Sequence, residues 1–388
     1  MKILYIANSR LPTENAHGVQ ITKMCEALAR TGAEVVLLVP RRLNYIKTDI
    51  FSYYGLEHNF KIRALPTIDA NYFGWIGFWL QNIIFSLGTV FYCLVHSDFE
   101  LIYSRDELPL LFLSFLKKKT VWEIHVNRLN FLVRCLVKRV SLVVTISGGL
   151  KQFLINQGVT PAKLFVSHDA VDLGLFARMP ADKMVLRKNL GLPAERSLVT
   201  YVGKYTTMNK DKGVDALIKA FALVHQRLPN SSLLLVGIQA TVVDQLKNNL
   251  AAVGLLPEDV IIVTHQPHEV AMQYVRAGDV VVMNYPQLEH YTLYMSPLKL
   301  FEYMAGKNVI VSTSLPSIRE VLSSAQAYLV EADKIPALAD GIHHALTHPE
   351  ESAQKATAAF ELVHRYTWDA RVANILQFVR ERGTHPGP

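Results

Sequence analysis

The chain has 388 residues, too many for one ordinary domain and about right for two. Hydrophobic residues make up 50% and charged residues 19%, which allows a large core and argues against long disorder. The net charge of +7 is uneven, with 19 Lys and Arg against 13 Asp and Glu through residue 175. That suits an anionic ligand or a membrane surface, and no nucleic-acid partner is expected, because no zinc finger, RNA-binding aromatic motif or long basic arm occurs.

The opening "MKILYIANS" reads as a buried strand, too short for a signal peptide and without a cleavage site. Apolar runs then recur with helical patterns between them. The strands expected are Lys2–Asn8, Glu34–Pro40, Lys61–Leu65, Glu100–Ser104, Thr120–His125, Leu142–Ser147 and Lys163–His168. Helices are expected over His17–Arg30 and Asn127–Arg139, the second with Leu129, Leu132, Val133, Leu136 and Val137 on its core stripe. Cys25, Cys93 and Cys135 are scattered in apolar segments, which favours a reducing cytoplasm.

Between these elements, Tyr72–Val95 carries no charge over 24 residues, long enough to span a bilayer. Strand-like runs on both sides argue against a span, since one crossing would split a sheet across the membrane. A small or polar stripe at Asn82, Ser86, Thr89 and Cys93 supports one or two partly buried helices, either simply packed on the domain or with aromatics touching a bilayer face.

Residues 176–196 read as a polar linker. A second alternation follows, with strands at Leu198–Gly203, Ser232–Gly237, Val260–Thr264, Val280–Asn284, Asn308–Ser312 and Ala327–Val330. The pattern predicts an α/β chain of two Rossmann-like, doubly wound parallel-sheet domains, residues 1–175 and 197–365, facing a central cleft. A last helix, Trp368–Arg382 within 366–388, packs back toward the first domain, and Pro386–Pro388 fray.

Ligands of such sheets sit at the carboxyl ends of strands. Gly18, just after the first strand, is either a turn glycine or a place where backbone N–H groups approach a phosphate. No GxGxxG occurs, which weakens a dinucleotide reading. His125 ends the strand in "TVWEIHVNR". Lys204, Lys210 and Lys212 follow the first strand of the second domain, either solvated or set against a diphosphate. In "YMSPLKLFEYMAGKN", Ser296 is a good N-cap and Pro297 suits the first helical position. The N–H groups of Leu298 and Lys299 would then point out of the helix start. Glu302, three residues after Lys299, is either half of an exposed ion pair or an acceptor for sugar hydroxyls.

Four stretches carry a resemblance: "NAHGVQITKMCEALARTGAEVVLLVP", "VTISGGLKQFLINQGVTPAKLFVSHDAVDLGLF", "YVGKYTTMNKDKGVDALIKAF" and "SPLKLFEYMAGKNVIVSTSLPSIREVL". In this order, over nearly the whole chain, they resemble the retaining family-4 glycosyltransferases of the GT-B fold (glycosyltransferase group 1). The resemblance implies a nucleotide-sugar donor held mainly by the second domain and a carbohydrate or lipid-linked acceptor held mainly by the first. Lys204, where the family usually has arginine, and Lys212 would offset the diphosphate charge, with Lys210 a rival for the second role. Ser296, Pro297, Leu298 and Lys299 would form the anion-binding helix start, Glu302 would bind the ribose, Gly18 would lie near the phosphates, and His125 near the reacting sugar carbon. Neither a cofactor nor a metal is implied. Tyr294 stands where the family's Glu-x7-Glu motif has its first acid, and Glu289 lies five residues too early to replace it. The cysteine usage favours the cytoplasm, and the basic first half with the aromatic segment at 72–95 favours the inner face of the membrane. Two other readings stay open: a sugar-nucleotide epimerase of the same fold, and an inactive nucleotide-sugar-binding partner subunit.

Overall fold

The computed structural model describes residues 1–69, 74–116, 118–207 and 210–382, without the side chains of 207, 210 and 211. The chain divides into two compact units. Unit 1 is Met1–Asp169 together with the chain from Trp368 onward, and unit 2 is Ala170–Thr367.

Unit 1 is built on seven parallel strands: β1 (Lys2–Ile6), β2 (Glu34–Pro40), β3 (Lys61–Leu65), β4 (Leu101–Ser104), β5 (Lys119–Ile124), β6 (Leu142–Thr145) and β7 (Leu164–Val166). Their order is β3-β2-β1-β4-β5-β6-β7, so the direction of winding reverses between β1 and β4. Runs such as Val35–Val39 are apolar on both faces because helices cover both sides, as a parallel sheet requires. Alternate residues Leu4, Ile6, Ile102, Trp122 and Ile124 meet helices Glu107–Leu113 and Phe131–Arg139 in one core. On the other face Tyr5 stacks on Tyr103 with ring centroids 5.1 Å apart. There the helices Ala16–Arg30 and Trp368–Arg382 pack on each other.

Helix Phe131–Arg139 starts later than its pattern suggests, because the Asn130 side chain accepts the Val133 N–H at 2.9 Å and caps it there. Tyr72 and Phe73, where the apolar segment begins, lie outside the described residues, as do Pro386–Pro388. From Gly74 to Val95 that segment is one helix, long and apolar enough to cross a membrane by length and composition. Its polarity is reversed: Gln81, Ser86, Thr89 and Cys93 are buried, while Trp75 is 74% and Phe91 70% exposed. Phe85 and Cys93 belong to the unit 1 core, and the Asn82 amide oxygen accepts from Asn8 at 2.5 Å. This side is therefore built to stay against the protein.

Unit 2 contains β8 (Ser197–Val202), a small antiparallel hairpin of β9 (Thr206–Thr207) and β10 (Lys210–Asp211), then β11 (Ser231–Ile238), β12 (Val260–Thr264), β13 (Val280–Met283), β14 (Val309–Thr313) and β15 (Tyr328–Val330). Its main sheet is parallel, in the order β12-β11-β8-β13-β14-β15, and reverses between β8 and β13. Tyr201, Leu235, Val282 and Val311 face one helical layer, and Val281, Met283 and Ile310 face the other.

The boundary falls at Asp169–Ala170, six residues before the expected one, and 176–196 is not a linker. Helix Leu173–Ala177 puts Phe176 into the core with Met272 and Phe301. Helix Lys183–Asn189 puts Leu186 against Tyr274 and Ala277. Each buries only a few side chains, so no long apolar run betrays them. Buried Arg187 fastens this stretch: it donates to the carbonyls of Ala277, Ala194 and Arg196 and pairs with Asp279 at 2.6 Å. Arg187→Met should cost about 3 kcal/mol of unit 2 stability, the low end for a broken buried pair because Asp279 is partly exposed. Denaturant titration would measure it, and a loss below about 1 kcal/mol would remove this role.

Candidate functional site

The reversal point of the unit 2 sheet gathers the residues of one half-site. β8 leaves the sheet at Gly203 and leads to Lys204, whose carbonyl accepts from the Tyr201 hydroxyl at 3.0 Å. The chain returns through Lys212 and Gly213 into helix Val214–Arg227. Gly213 sits at φ 84°, and its carbonyl accepts from the buried Asn284 amide at 3.0 Å, just past the end of β13. A Cβ there would overlap the Asn284 backbone carbonyl, so glycine is required for the close approach of these two loops. The side chain of Lys210 lies outside the described residues.

Helix Leu298–Ala305 arrives from the other side of the reversal point. Pro297 is its N-cap, not its first helical residue, and no side chain caps it; Ser296 is buried one position earlier. The first bond of the helix runs from the Leu300 N–H to the Pro297 carbonyl at 3.0 Å, so the N–H groups of Leu298 and Lys299 stay outside the ladder. The Lys299 side chain is buried, with Nζ 3.9 Å from the Tyr201 ring centroid and 5.5 Å from that of Tyr285. Among the described residues it has no hydrogen-bond partner. Burial, then the charge of Lys212, push its ammonium well below the usual lysine range, against the pull of Glu302. Burial and the charge of Lys204 bring Lys212 down to about 8. Three lysines thus lie close enough to lower one another's affinity for protons, an arrangement that suits an anion.

Glu302 is largely buried one turn further on, and its Oε1 lies 2.7 Å from His268 Nε2 at the start of helix His268–Ala277. Tyr294 does not point to an empty acid position: its hydroxyl donates to Glu289 at 3.1 Å.

Unit 1 carries the other candidates. His125 follows β5 and lines a cavity of about 360 Å³, together with Trp79, Asn82, Arg105 and Glu107. Its Nε2 is 2.6 Å from Oε1 of the buried Glu123. Burial and Arg105 lower the imidazole to about 4, against the pull of Glu123. For Glu123 burial acts upward, but Arg371 and the His125 hydrogen bond outweigh it and hold the carboxyl far below its usual range. Gly18 lies inside helix Ala16–Arg30, and its N–H donates to the Asn15 carbonyl at 2.9 Å. A Cβ would overlap the Tyr54 hydroxyl, which donates to the Thr13 carbonyl, so packing alone accounts for this glycine and its N–H is already used. Sequence reasoning missed Glu123, Arg371, Asn284 and His268. Only Glu123 had a signal, as a carboxylate in the middle of an apolar strand run.

Against solved structures, the chain is similar to HepE of Anabaena in complex with UDP, with 17% identity, TM-score 0.75, and 98% of this chain and 100% of that one covered. It is similar to the sucrose-phosphate synthase of Thermosynechococcus elongatus, with 19% identity, TM-score 0.78 and 98% of both chains covered. A Listeria monocytogenes protein that carries the name of a UDP-N-acetylglucosamine 2-epimerase has 12% identity, TM-score 0.66, and 99% and 97% coverage. Comparison with curated proteins returns no match. These likenesses establish the fold as GT-B, two Rossmann-like domains of parallel strands. Residues 196–348 match the model of the family Glycosyl transferases group 1, a stretch that contains Lys204, Lys212 and helix Leu298–Ala305.

The loop junction gives a direct test. Gly213→Ala combines a left-handed φ with a backbone clash and should cost about 2 kcal/mol, read as a lower thermal midpoint. An unchanged midpoint would mean the two loops do not need this contact.

Proposed function

We propose that the protein is a retaining glycosyltransferase of family 4 that moves a hexose from a UDP- or GDP-sugar to a carbohydrate or lipid-linked acceptor, in cell-surface glycan or glycolipid synthesis. The observation that carries the reading is the cluster of Lys204, Lys212 and Lys299 beside the open start of helix Leu298–Ala305, inside the stretch matched by the glycosyl transferase family. The leaving group is a nucleoside diphosphate, so stabilising its growing charge is the main catalytic need. Lys204 and Lys212 meet the diphosphate as point charges, and the N–H groups of Leu298 and Lys299 add charge-assisted bonds. Charge compensation in this reading comes from the protein alone and invokes no metal. Glu302, oriented by His268, accepts from the ribose hydroxyls. HepE, crystallised with UDP and with UDP-glucose, favours a uridine donor.

His125 stands near the reacting carbon and contributes a neutral imidazole. The acceptor hydroxyl attacks the face from which the diphosphate leaves, and a phosphate oxygen takes its proton. Tyr294 favours a second reading, an inactive nucleotide-sugar-binding subunit, because it binds Glu289 and supplies no carboxylate of its own. An epimerase is the remaining alternative, and it turns over a donor with no acceptor present.

The exposed apolar face of helix Gly74–Val95 supports a cytoplasmic protein in peripheral contact with the inner face of the membrane. Replacing Trp75 and Phe91 by serine should reduce co-sedimentation with vesicles containing anionic lipid several-fold, and unchanged sedimentation would remove the contact.

A thermal-shift screen of UDP- and GDP-sugars, followed by product analysis with a labelled donor, tests the function. Glu302→Ala should weaken binding of the selected nucleotide by more than about 1 kcal/mol, the scale of a hydrogen bond to a charged group. Equal affinity would remove the ribose role, and no shift with any nucleotide would remove the donor site.

A further inference from the structure

Behind His125 lies a buried network that the proposed chemistry does not use. Glu123 has no exposed side-chain surface, and both its oxygens are engaged from four elements. Oε1 accepts from His125 Nε2 at 2.6 Å and from the Gln20 amide at 2.5 Å. Oε2 accepts from the Tyr103 hydroxyl and from Arg371 at 3.1 Å. Gln20 is turned by Arg105, which donates to its carbonyl oxygen at 2.6 Å. Arg371 lies on helix Trp368–Arg382, and its other N–H groups reach the carbonyls of His168 at 2.7 Å and Ser167 at 3.2 Å.

An ionised carboxylate accepts and does not donate. The proton between His125 and Glu123 therefore sits on Nε2, and in a neutral ring Nδ1 keeps a lone pair, for which the described residues offer no partner. The charged or titratable groups acting on the pair are Arg105, Arg371, Tyr103, Tyr5 and Asp169, and His17, Asp106, Glu107 and Arg128 line the cavity beside His125. Arg371 supplies the charge that lets Glu123 remain an anion in the core. Without it, the carboxylate would take up a proton or draw one onto His125.

We propose that Arg371 is a positioning residue which, through Glu123, holds His125 as a neutral imidazole with its proton on Nε2, so that Nδ1 can accept a hydrogen bond from a sugar hydroxyl in the adjoining cavity. The sugar rests on the transferase reading; the geometry of the imidazole does not. Burial and the two arginines act in the same direction on His125, so removing Arg371 raises its affinity for protons.

The test uses the whole chain with 15N-labelled histidine and no substrate, His125 being assigned with a His125→Gln variant. At pH 7 the wild-type ring should show one tautomer, protonated at Nε2, and should not titrate above about pH 5. Arg371→Met should move its titration midpoint up by more than one pH unit, and Arg371→Lys should restore most of the shift. A wild-type ring protonated at Nδ1 or charged at pH 7, or an unmoved midpoint in Arg371→Met, overturns the proposal. If Arg371→Met does not fold, the neutral pair Glu123→Gln with Arg371→Met takes its place. It should show both tautomers, and an unchanged single tautomer overturns the proposal. Where transfer is assayed, Arg371→Met should lower kcat by at least tenfold with little change in donor KM. Should the spectra agree while no sugar hydroxyl proves to be a substrate, the transferase reading fails and the role of Arg371 stands.

Discussion

Unit 1 depends on one ion pair, Glu123 with Arg371, both completely enclosed. Moving two charges out of water costs several kcal/mol per ion, and mutual attraction offsets that only when the remaining hydrogen-bonding capacity is met. Here it is met: the carboxylate has four donors and the guanidinium has carbonyl and sulfur acceptors besides Glu123. Three consequences follow from the one constraint. The chain must return to its first unit, because the partner of β5 lies on the last helix. Helix Ala16–Arg30 must offer Gln20 at the right height. The histidine at the end of β5 must share the carboxylate, so its protonation is not its own to choose.

Unit 2 solves the opposite problem. Its lysines come together at the end of the sheet, and among the described side chains the carboxylate that acts on Lys299 is Glu302, which His268 holds. Like charges in a partly buried place raise the energy of the empty site, and an anion relieves it. The aromatic rings of Tyr201 and Tyr285 under Lys299 soften that cost without supplying an acceptor. Unit 1 encloses a carboxylate with its cation, and unit 2 brings three lysines to one place at the end of its sheet.

The legible parts of the sequence were those governed by local pattern. Both sheets follow from runs of Val, Ile and Leu separated by helical periods, and the Ser-Pro turn marks a helix start to within one residue. The misread parts needed long-range contacts. Residues 176–196 look polar because their burial is divided between two short helices and an arginine whose partners are mostly carbonyls. Gly18 suggests a phosphate loop in sequence, yet its reason is the Tyr54 hydroxyl, thirty-six residues away. Lys299 is legible in sequence as part of a helix start, but only packing reveals that its side chain is enclosed by rings. Arg371 gave no sign, since nothing in "WDARVANIL" distinguishes an arginine that faces water from one that enters a core.

The return of the last helix also sets an order of events during synthesis. Glu123 precedes Arg371 by 248 residues. At roughly 5–20 residues per second, the carboxylate is made about 10–50 s before its cation. Through that interval β5 holds a charge that the sheet cannot enclose without a large penalty. Unit 2, Ala170–Thr367, is made in full before the cation arrives. The ion pair of the first unit forms only once the last helix has been made.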